Sequence, residues 1–214
     1  MSADWRKELL RFYESRLERL RELGLDETEG VDPTQVFDPY VAQKKEHPIV
    51  IIGEAPGGRE VEEQAPFVGP AGANLAKLIG LSGLSRERDI LITNAFPFRT
   101  CQAGSKGVKN RTPQTGELAL GAKLLLEELS IIRPSVILIL GGSARKAFMK
   151  LYSAALTRSL KKMEEHTFFR VMDSGMGFGL ILGRSFHPSP LVYNIPHKRE
   201  KLQDFFVRLK DLTA

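Results

Sequence analysis

Short β-branched runs alternate along this chain with longer stretches of helical period. Ile49, Val50, Ile51 and Ile52 form the first run, stopped by Gly53, and read as a strand buried on both faces of a parallel sheet. Residues 89–93, ending at Asn94, then 136–140, 167–172 and 178–182 predict four more strands. Residues 71–79 suit a helix, and Thr112, as N-cap before Pro113, opens another through Leu118, Leu125 and Leu129 to Ile132. Gly141 and Gly142 form a strand exit with Ser143 capping the next helix, and residues 197–212 predict a closing one. Strands alternating with helices in this way predict an α/β fold, a three-layer α/β/α sandwich around a mainly parallel central sheet.

Three stretches fall outside that alternation. Residues 3–24 set Trp5, Leu9, Phe12, Leu17, Leu20 and Leu23 among Arg and Glu, an amphipathic helix closed by Gly24 with its charges on a solvated face. Residues 26–47 hold turn formers without a sustained period and predict an ordered arm leading to the first strand. The expectation is one domain spanning residues 1–214, with residues 1–47 packed on it as helix and arm. Residues 97–112, rich in Gly, Lys, Arg and Ser, predict a mobile cationic loop.

Composition changes this picture only a little. With 214 residues and 42% hydrophobic content, the chain can close one full core, and no internal repeat divides it. A net charge of +5 is compatible with a polyanionic partner without demanding one. The single cysteine, Cys101, makes no internal disulfide. No apolar run approaches the ~20 residues of a membrane span, and the N-terminus is too charged for a secretory signal, so a soluble cytoplasmic protein is expected.

In sheets of this kind, ligands bind beyond the carboxyl ends of the strands. Glu54, Asn94, the Gly141-Gly142 turn and His187 all follow predicted strands, so residues distant in sequence are expected at one edge. The segment Gly53-Glu54-Ala55-Pro56-Gly57-Gly58 sets a carboxylate beside a rigid proline and permissive glycines, which lets backbone N–H groups face a ligand. No Gly-Lys-Ser/Thr follows and the dinucleotide spacing is missing, so this is neither a P-loop nor a Rossmann fingerprint. Taken singly, Phe67 reads as core, Asn94 as a turn former, and His187 as a loop histidine like His47, His166 and His197.

Their surroundings change that. Gly53 to Gly57, continued by Pro66-Phe67-Val68-Gly69-Pro70-Ala71-Gly72, and far downstream His187-Pro188-Ser189-Pro190-Leu191, resemble the two motifs of the uracil-DNA glycosylase superfamily. The resemblance is nearest its thermostable prokaryotic branch, family 4, and Ile92-Thr93-Asn94 matches the strand-end Asn that the family uses on the base. It covers the chain from the first predicted strand to the last loop.

The resemblance implies a monofunctional DNA glycosylase that hydrolyses the N-glycosidic bond of uracil, with other deaminated bases as further candidates, and leaves an abasic site. The alternative it leaves open is a weak or inactive relative that keeps the pocket and binds a damaged base or free nucleobase. It assigns Phe67 to stacking on an extruded base, Asn94 to the uracil N3–H and O4, and Gly53 and Ala55 to the base pocket. It also assigns His187 as a donor to O2 of the departing base. Glu54 takes water positioning and the sugar's charge, because Ala55 stands where better-known members carry an aspartate. Gly57 stands where some relatives hold an aromatic that excludes the thymine methyl.

Lys106, Lys109 and Arg111, with Lys198 and Arg199 after the second motif, are expected on phosphates; Ser189 joins this DNA contact and Leu191 is the wedge in the stack. The expected partner is DNA with a flipped or single-stranded damaged base, bound by a monomer with no membrane involved. The resembling branch holds a four-iron cluster on four cysteines. Here Phe98 and Gly121 stand at the third and fourth positions and Cys101 is alone, so no iron–sulfur cluster and no metal is expected, and core packing with the N-terminal helix takes its place.

Overall fold

The computed structural model describes residues 4–22, 30–105, 107–150, 163–171 and 179–212. Expectations that fall on residues 23–29, Lys106, Met172 and Phe178 lie outside the described residues. In chain order the first elements are α1 (Trp5–Glu22), β1 (Val31–Asp32), a 3-10 turn (Val41–Gln43), β2 (Ile49–Gly53), α2 (Gly58–Glu63), α3 (Pro70–Ser82) and β3 (Ile90–Asn94). There follow β4 (Arg99–Gly104), β5 (Gly107–Asn110), α4 (Thr115–Ile132), β6 (Val136–Leu140) and α5 (Gly142–Lys150). The last are β7 (Thr167–Val171), β8 (Leu180–Ser185), α6 (Pro190–Tyr193) and α7 (Pro196–Leu209), which runs into a 3-10 turn ending at Leu212.

The central sheet has the order β3-β2-β6-β8-β7 and is parallel except for β7, which pairs antiparallel with β8. Successive residues of each strand face opposite layers. Val50, Ile52, Leu91, Ile137, Ile139 and Leu182 pack against one layer, where α1, α4 and α5 bring Leu9, Phe12, Leu125, Leu129 and Phe148. Ile49, Ile51, Ile90, Ile92, Leu138 and Ile181 pack against the other, with Leu75 and Leu78 of α3 and Leu202, Phe205 and Phe206 of α7. Burial on both faces explains the apolar runs of β2, β3 and β6, whereas β7 is partly exposed and β8 ends in Gly-Arg-Ser. The predicted three-layer α/β/α sandwich is the observed architecture.

Several local expectations are corrected. Residues 97–112 are not a loop but a hairpin, in which Cys101 pairs with Asn110 and Ala103 with Val108; β1 adds to its outer side, giving the order β1-β4-β5. Strand β5 is exposed at every residue, so it carries no alternation of apolar and polar positions. The helix expected from Pro113 starts two residues later, because the Glu117 carboxylate accepts the Gln114 N–H at 2.5 Å and sets the cap there. The arm is pinned along the edge of β3 by Asp38, which accepts from the Ile92 N–H at 2.8 Å and from Arg86 Nη1 at 2.7 Å and lies 3.4 Å from Lys44 Nζ. That contact closes an otherwise open sheet edge.

Helix α1 is a full member of its layer rather than a charged outer strip. Arg16 is buried, donating to the Val36 carbonyl at 3.1 Å, with its guanidinium 4.8 Å from the Tyr13 ring centroid and 5.8 Å from that of Phe98. The Tyr13 hydroxyl donates to Glu128 at 2.7 Å, and Thr93 donates to the other oxygen of Glu128 at 3.0 Å. This buried network links α1 and α4 to the residue beside Asn94. Phe98 packs with Phe96 and Val31 in a small core of its own, and a Cβ on Gly121 would come within 2.3 Å of the Ala95 carbonyl oxygen. Among the described residues no helix is long and apolar enough to cross a membrane.

Candidate active site

The site starts from one register pair. Gly53 at the end of β2 lies beside Asn94 at the end of β3, and two further bonds, Ala95 N–H to Gly53 and Phe96 N–H to Glu54, both 3.0 Å, keep the chains together past the strands. Gly53 has to be small. A Cβ there would lie 2.6 Å from Cε2 of Phe67 and 2.7 Å from Oδ1 of Asn94, so the absent side chain lets the ring and the amide close over the strand end. Phe67 sits in the left-handed region at φ 57°, a conformation that costs an aromatic residue about 1–3 kcal/mol. It is held there by close approach to α3, since a Cβ on Gly72 would meet the Phe67 carbonyl oxygen at 1.6 Å.

His187 enters two residues past β8. Gly141, at φ +92°, accommodates it where a Cβ would stand 3.0 Å from that of His187, and its N–H donates to the Ser185 carbonyl at 3.0 Å. The imidazole and the Phe67 ring are 5.6 Å apart between centroids at 33°. Phe67, Asn94 and His187 therefore line one cavity of about 440 Å³, together with Glu54, Ala55, Gly57 and residues of α2 and α3. That volume is in the usual range for small-molecule sites. Asn94 is only 6% exposed, and no hydrogen bond within the described residues engages its amide, which leaves donor and acceptor to a ligand.

Burial pushes the His187 pKa below its ordinary value of 6.5, against the pull of Glu54 and Glu60. The ring is therefore neutral at pH 7 and can offer one N–H. The Ala55 N–H has no partner among the described residues and lines the same wall. A cavity with a stacking ring, an unengaged amide, a neutral imidazole and a backbone donor can hold a planar heterocycle and receive negative charge on one edge of it.

Arg59, Glu60 and Asn110 line the cavity and were not found from the sequence. Glu60 accepts from the Gly57 N–H at 3.1 Å and the Gly69 N–H at 2.9 Å, and so ties together both halves of the first motif. The three-residue spacing from Gly57 to Glu60 is that of an N-cap and its N3 carboxylate, a signal that was legible. Asn110, from β5, places Nδ2 2.9 Å from where a Gly57 Cβ would be, while its Oδ1 accepts from Arg99 Nε at 2.9 Å. An aromatic at position 57 would collide with both Glu60 and Asn110.

The residues expected on DNA are scattered more widely. Ser189 caps α6, its carbonyl accepting from Val192 and Tyr193, and Pro188 is held to α3 by Asn74 Nδ2 at 3.0 Å. That short turn leaves Leu191 86% exposed beside the cavity residue Pro190. Lys198, with Nζ 5.7 Å from the Phe186 centroid, and Arg199 stand on the first turn of α7. Lys109 is exposed on β5, one residue from Asn110 and hence on the opposite face of the hairpin. Lys106 lies outside the described residues. Arg111 forms a two-point pair with Glu117 at 2.6 and 2.8 Å and donates to the Cys101 carbonyl, so its guanidinium is engaged in the hairpin's attachment to α4.

The residues do not fit a cluster held by four thiolates. The chain has one cysteine, the Phe98 ring is fully buried where a third would stand, and Gly121 is pressed onto the Ala95 carbonyl where a fourth would stand. Among the described residues no group of three or more His, Cys, Asp or Glu is placed to hold a metal ion.

Comparison with known proteins gives the same frame independently. The family model of the uracil DNA glycosylase superfamily matches residues 40–210. The chain is 31% identical over 158 residues to a type-4 uracil-DNA glycosylase of Saccharolobus solfataricus, covering 73% of this chain and 68% of that one. It is 31% identical over 176 residues to a type-4 uracil-DNA glycosylase of Archaeoglobus fulgidus, covering 82% and 81%. A protein of the same name from Thermotoga maritima is 37% identical over 110 residues, about half of each chain at 51% and 53%. With a match that runs from the arm to the last helix, across every strand end that meets at the cavity, this chain belongs to the uracil-DNA glycosylase superfamily.

Proposed function

We propose that the protein hydrolyses the N-glycosidic bond of uracil in DNA, acting on a nucleotide extruded from the stack and leaving an abasic site. The observation that carries this reading is the meeting of Phe67, Asn94 and His187 on one cavity. The target bond is inaccessible in a stacked duplex, so the base has to leave it, and the Phe67 ring offers a face to receive it. The Asn94 amide matches the N3–H and O4 of uracil when its oxygen faces N3–H; cytosine presents the reverse pattern. As the bond breaks, negative charge gathers on O2 of the base. The neutral His187 ring and the Ala55 N–H are the donors suited to that oxygen, and losing one such donor costs about 2.7–4 kcal/mol of barrier.

Glu54 is the cavity carboxylate without a hydrogen-bond partner among the described residues, whereas Glu60 is engaged by two N–H groups. In this reading Glu54 orients the attacking water and offsets the charge of the oxocarbenium-like sugar. Leu191 fills the gap left by the extruded base, and Lys109, Lys198, Arg199 and Ser189 contact the backbone. No iron–sulfur cluster takes part, as a chain with one cysteine lacks the thiolates to bind one.

A second reading, base binding without hydrolysis, is favoured by one feature: Ala55 offers no carboxylate beside the motif proline. The two separate in one assay. A labelled single strand with one deoxyuridine is incubated with the protein and then with alkali. Scission at the uracil is expected; binding without scission would leave the second reading. Deoxyinosine, deoxyxanthosine and a G:T mismatch, run in parallel, measure breadth.

A further inference from the structure

The cavity rim carries charge that a base does not need. Arg59, in the first turn of α2, is exposed and lines the cavity. Arg99, at the root of β4, lies over the neighbouring Gly58, with Cζ and Nη2 each 3.4 Å from where a Cβ would be. Its Nε is engaged by Asn110, but neither its two terminal nitrogens nor any part of Arg59 has an acidic partner among the described residues. Some other arginines do have such a partner: Arg6 pairs with Glu46, Arg86 with Asp38, Arg111 with Glu117, and Arg184 with Glu165. Arg99 thus reaches over Gly58, and Arg59 stands next to that glycine in sequence and lines the same cavity, on two elements that the fold has to bring together. Two cations brought to one rim favour an anion between them. Of the cavity carboxylates, Glu60 is already taken by the Gly57 and Gly69 N–H groups, and Glu54 forms no ion pair with either arginine among the described residues.

We propose that Arg59 and Arg99 form a clamp for the backbone phosphates flanking the extruded nucleotide. The proposal rests on the glycosylase reading for the identity of what enters the cavity. The planar forks of two arginines suit phosphate oxygens, and a fixed phosphate would set the sugar in register with Glu54. The hairpin then has a role of its own: it delivers Arg99 to the rim, held by the Arg99–Asn110 bond, and closes the cavity wall with Asn110.

The test is binding of a single-stranded oligonucleotide that carries one 2′-fluoro-deoxyuridine, which resists hydrolysis, followed by anisotropy across a salt series. Each phosphate contact contributes about 0.7 to the slope of log K against log salt on single strands. R59Q and R99Q are each expected to flatten the slope by about 0.7 and the double variant by about 1.4. R59K/R99K keeps the slope, which separates lost charge from lost structure. R170Q, with the same charge change at the other end of the sheet, keeps the wild-type value. An unchanged slope in R59Q/R99Q, or an equal drop in R170Q, overturns the clamp. If the wild type releases uracil while the slope stays put, only the clamp falls; if it releases no deaminated base while the slope still drops, only the glycosylase reading falls.

Discussion

At the scale of residues, the proposed chemistry depends on His187 staying uncharged. Its burial depresses the pKa below 6.5, so a carbon-labelled histidine titration followed by NMR is expected to place its midpoint under that value; a midpoint above it would remove the neutral donor. Replacing it in H187A is expected to slow uracil release by about 10²–10³-fold with binding of the fluorinated substrate largely kept. Gly53 is the companion case. In G53A the new Cβ would press on both the Phe67 ring and Asn94 Oδ1, and a displacement near 1 Å lowers the single-turnover rate by about 100-fold. A G53A enzyme as fast as wild type would mean that neither group touches the reacting base.

At the scale of elements, α2 and α3 form one wall because Glu60 bridges the two loops that precede them. E60A leaves the Gly57 and Gly69 N–H groups without their acceptor, at a cost of about 1–3 kcal/mol each where water cannot replace it. The expected outcome is a lowered melting temperature together with slower uracil release, and a normal melting curve would show that the wall stands without it. The elements also show what the sequence can carry. Strand ends at Gly53, Asn94 and Leu140 were legible because burial on both faces writes itself as apolar runs, and the site follows from where those runs stop; the last strand ends at Ser185, three residues past the expected end at Leu182, because Gly183 and Arg184 interrupt the apolar pattern. The hairpin was not, since β5 is exposed throughout and its pairing depends on partners rather than on pattern. The partners of Arg16 and Arg111 were hidden for a related reason: both look like surface cations, and only the fold supplies the Tyr13, Phe98 and Glu117 groups that draw them inward.

At the scale of the whole molecule, two histidines make stability depend on pH in one direction. His166 and His187 both have pKa values lowered chiefly by burial, so below about pH 6.5 the unfolded chain binds protons there that the folded state resists. Stability is full above that pH and falls as the pH drops. Urea unfolding at about pH 5.5 and 7.5 is expected to show the loss, and H166Q is expected to reduce it; equal midpoints at both pH values would contradict the buried, neutral state of these rings. The sandwich itself holds the site's parts at one edge of the sheet, with the Tyr13–Glu128–Thr93 network joining α1 and α4 to the strand that ends in Asn94. In the proposed reaction Phe67, Asn94 and His187 surround a single base. A crystal structure grown with saturating uracil tests this most directly. The ring should stack on Phe67, with the Asn94 amide on N3–H and O4 and a His187 nitrogen within hydrogen-bond distance of O2. Uracil bound elsewhere, or in the cavity with the amide and the imidazole out of reach, would contradict it.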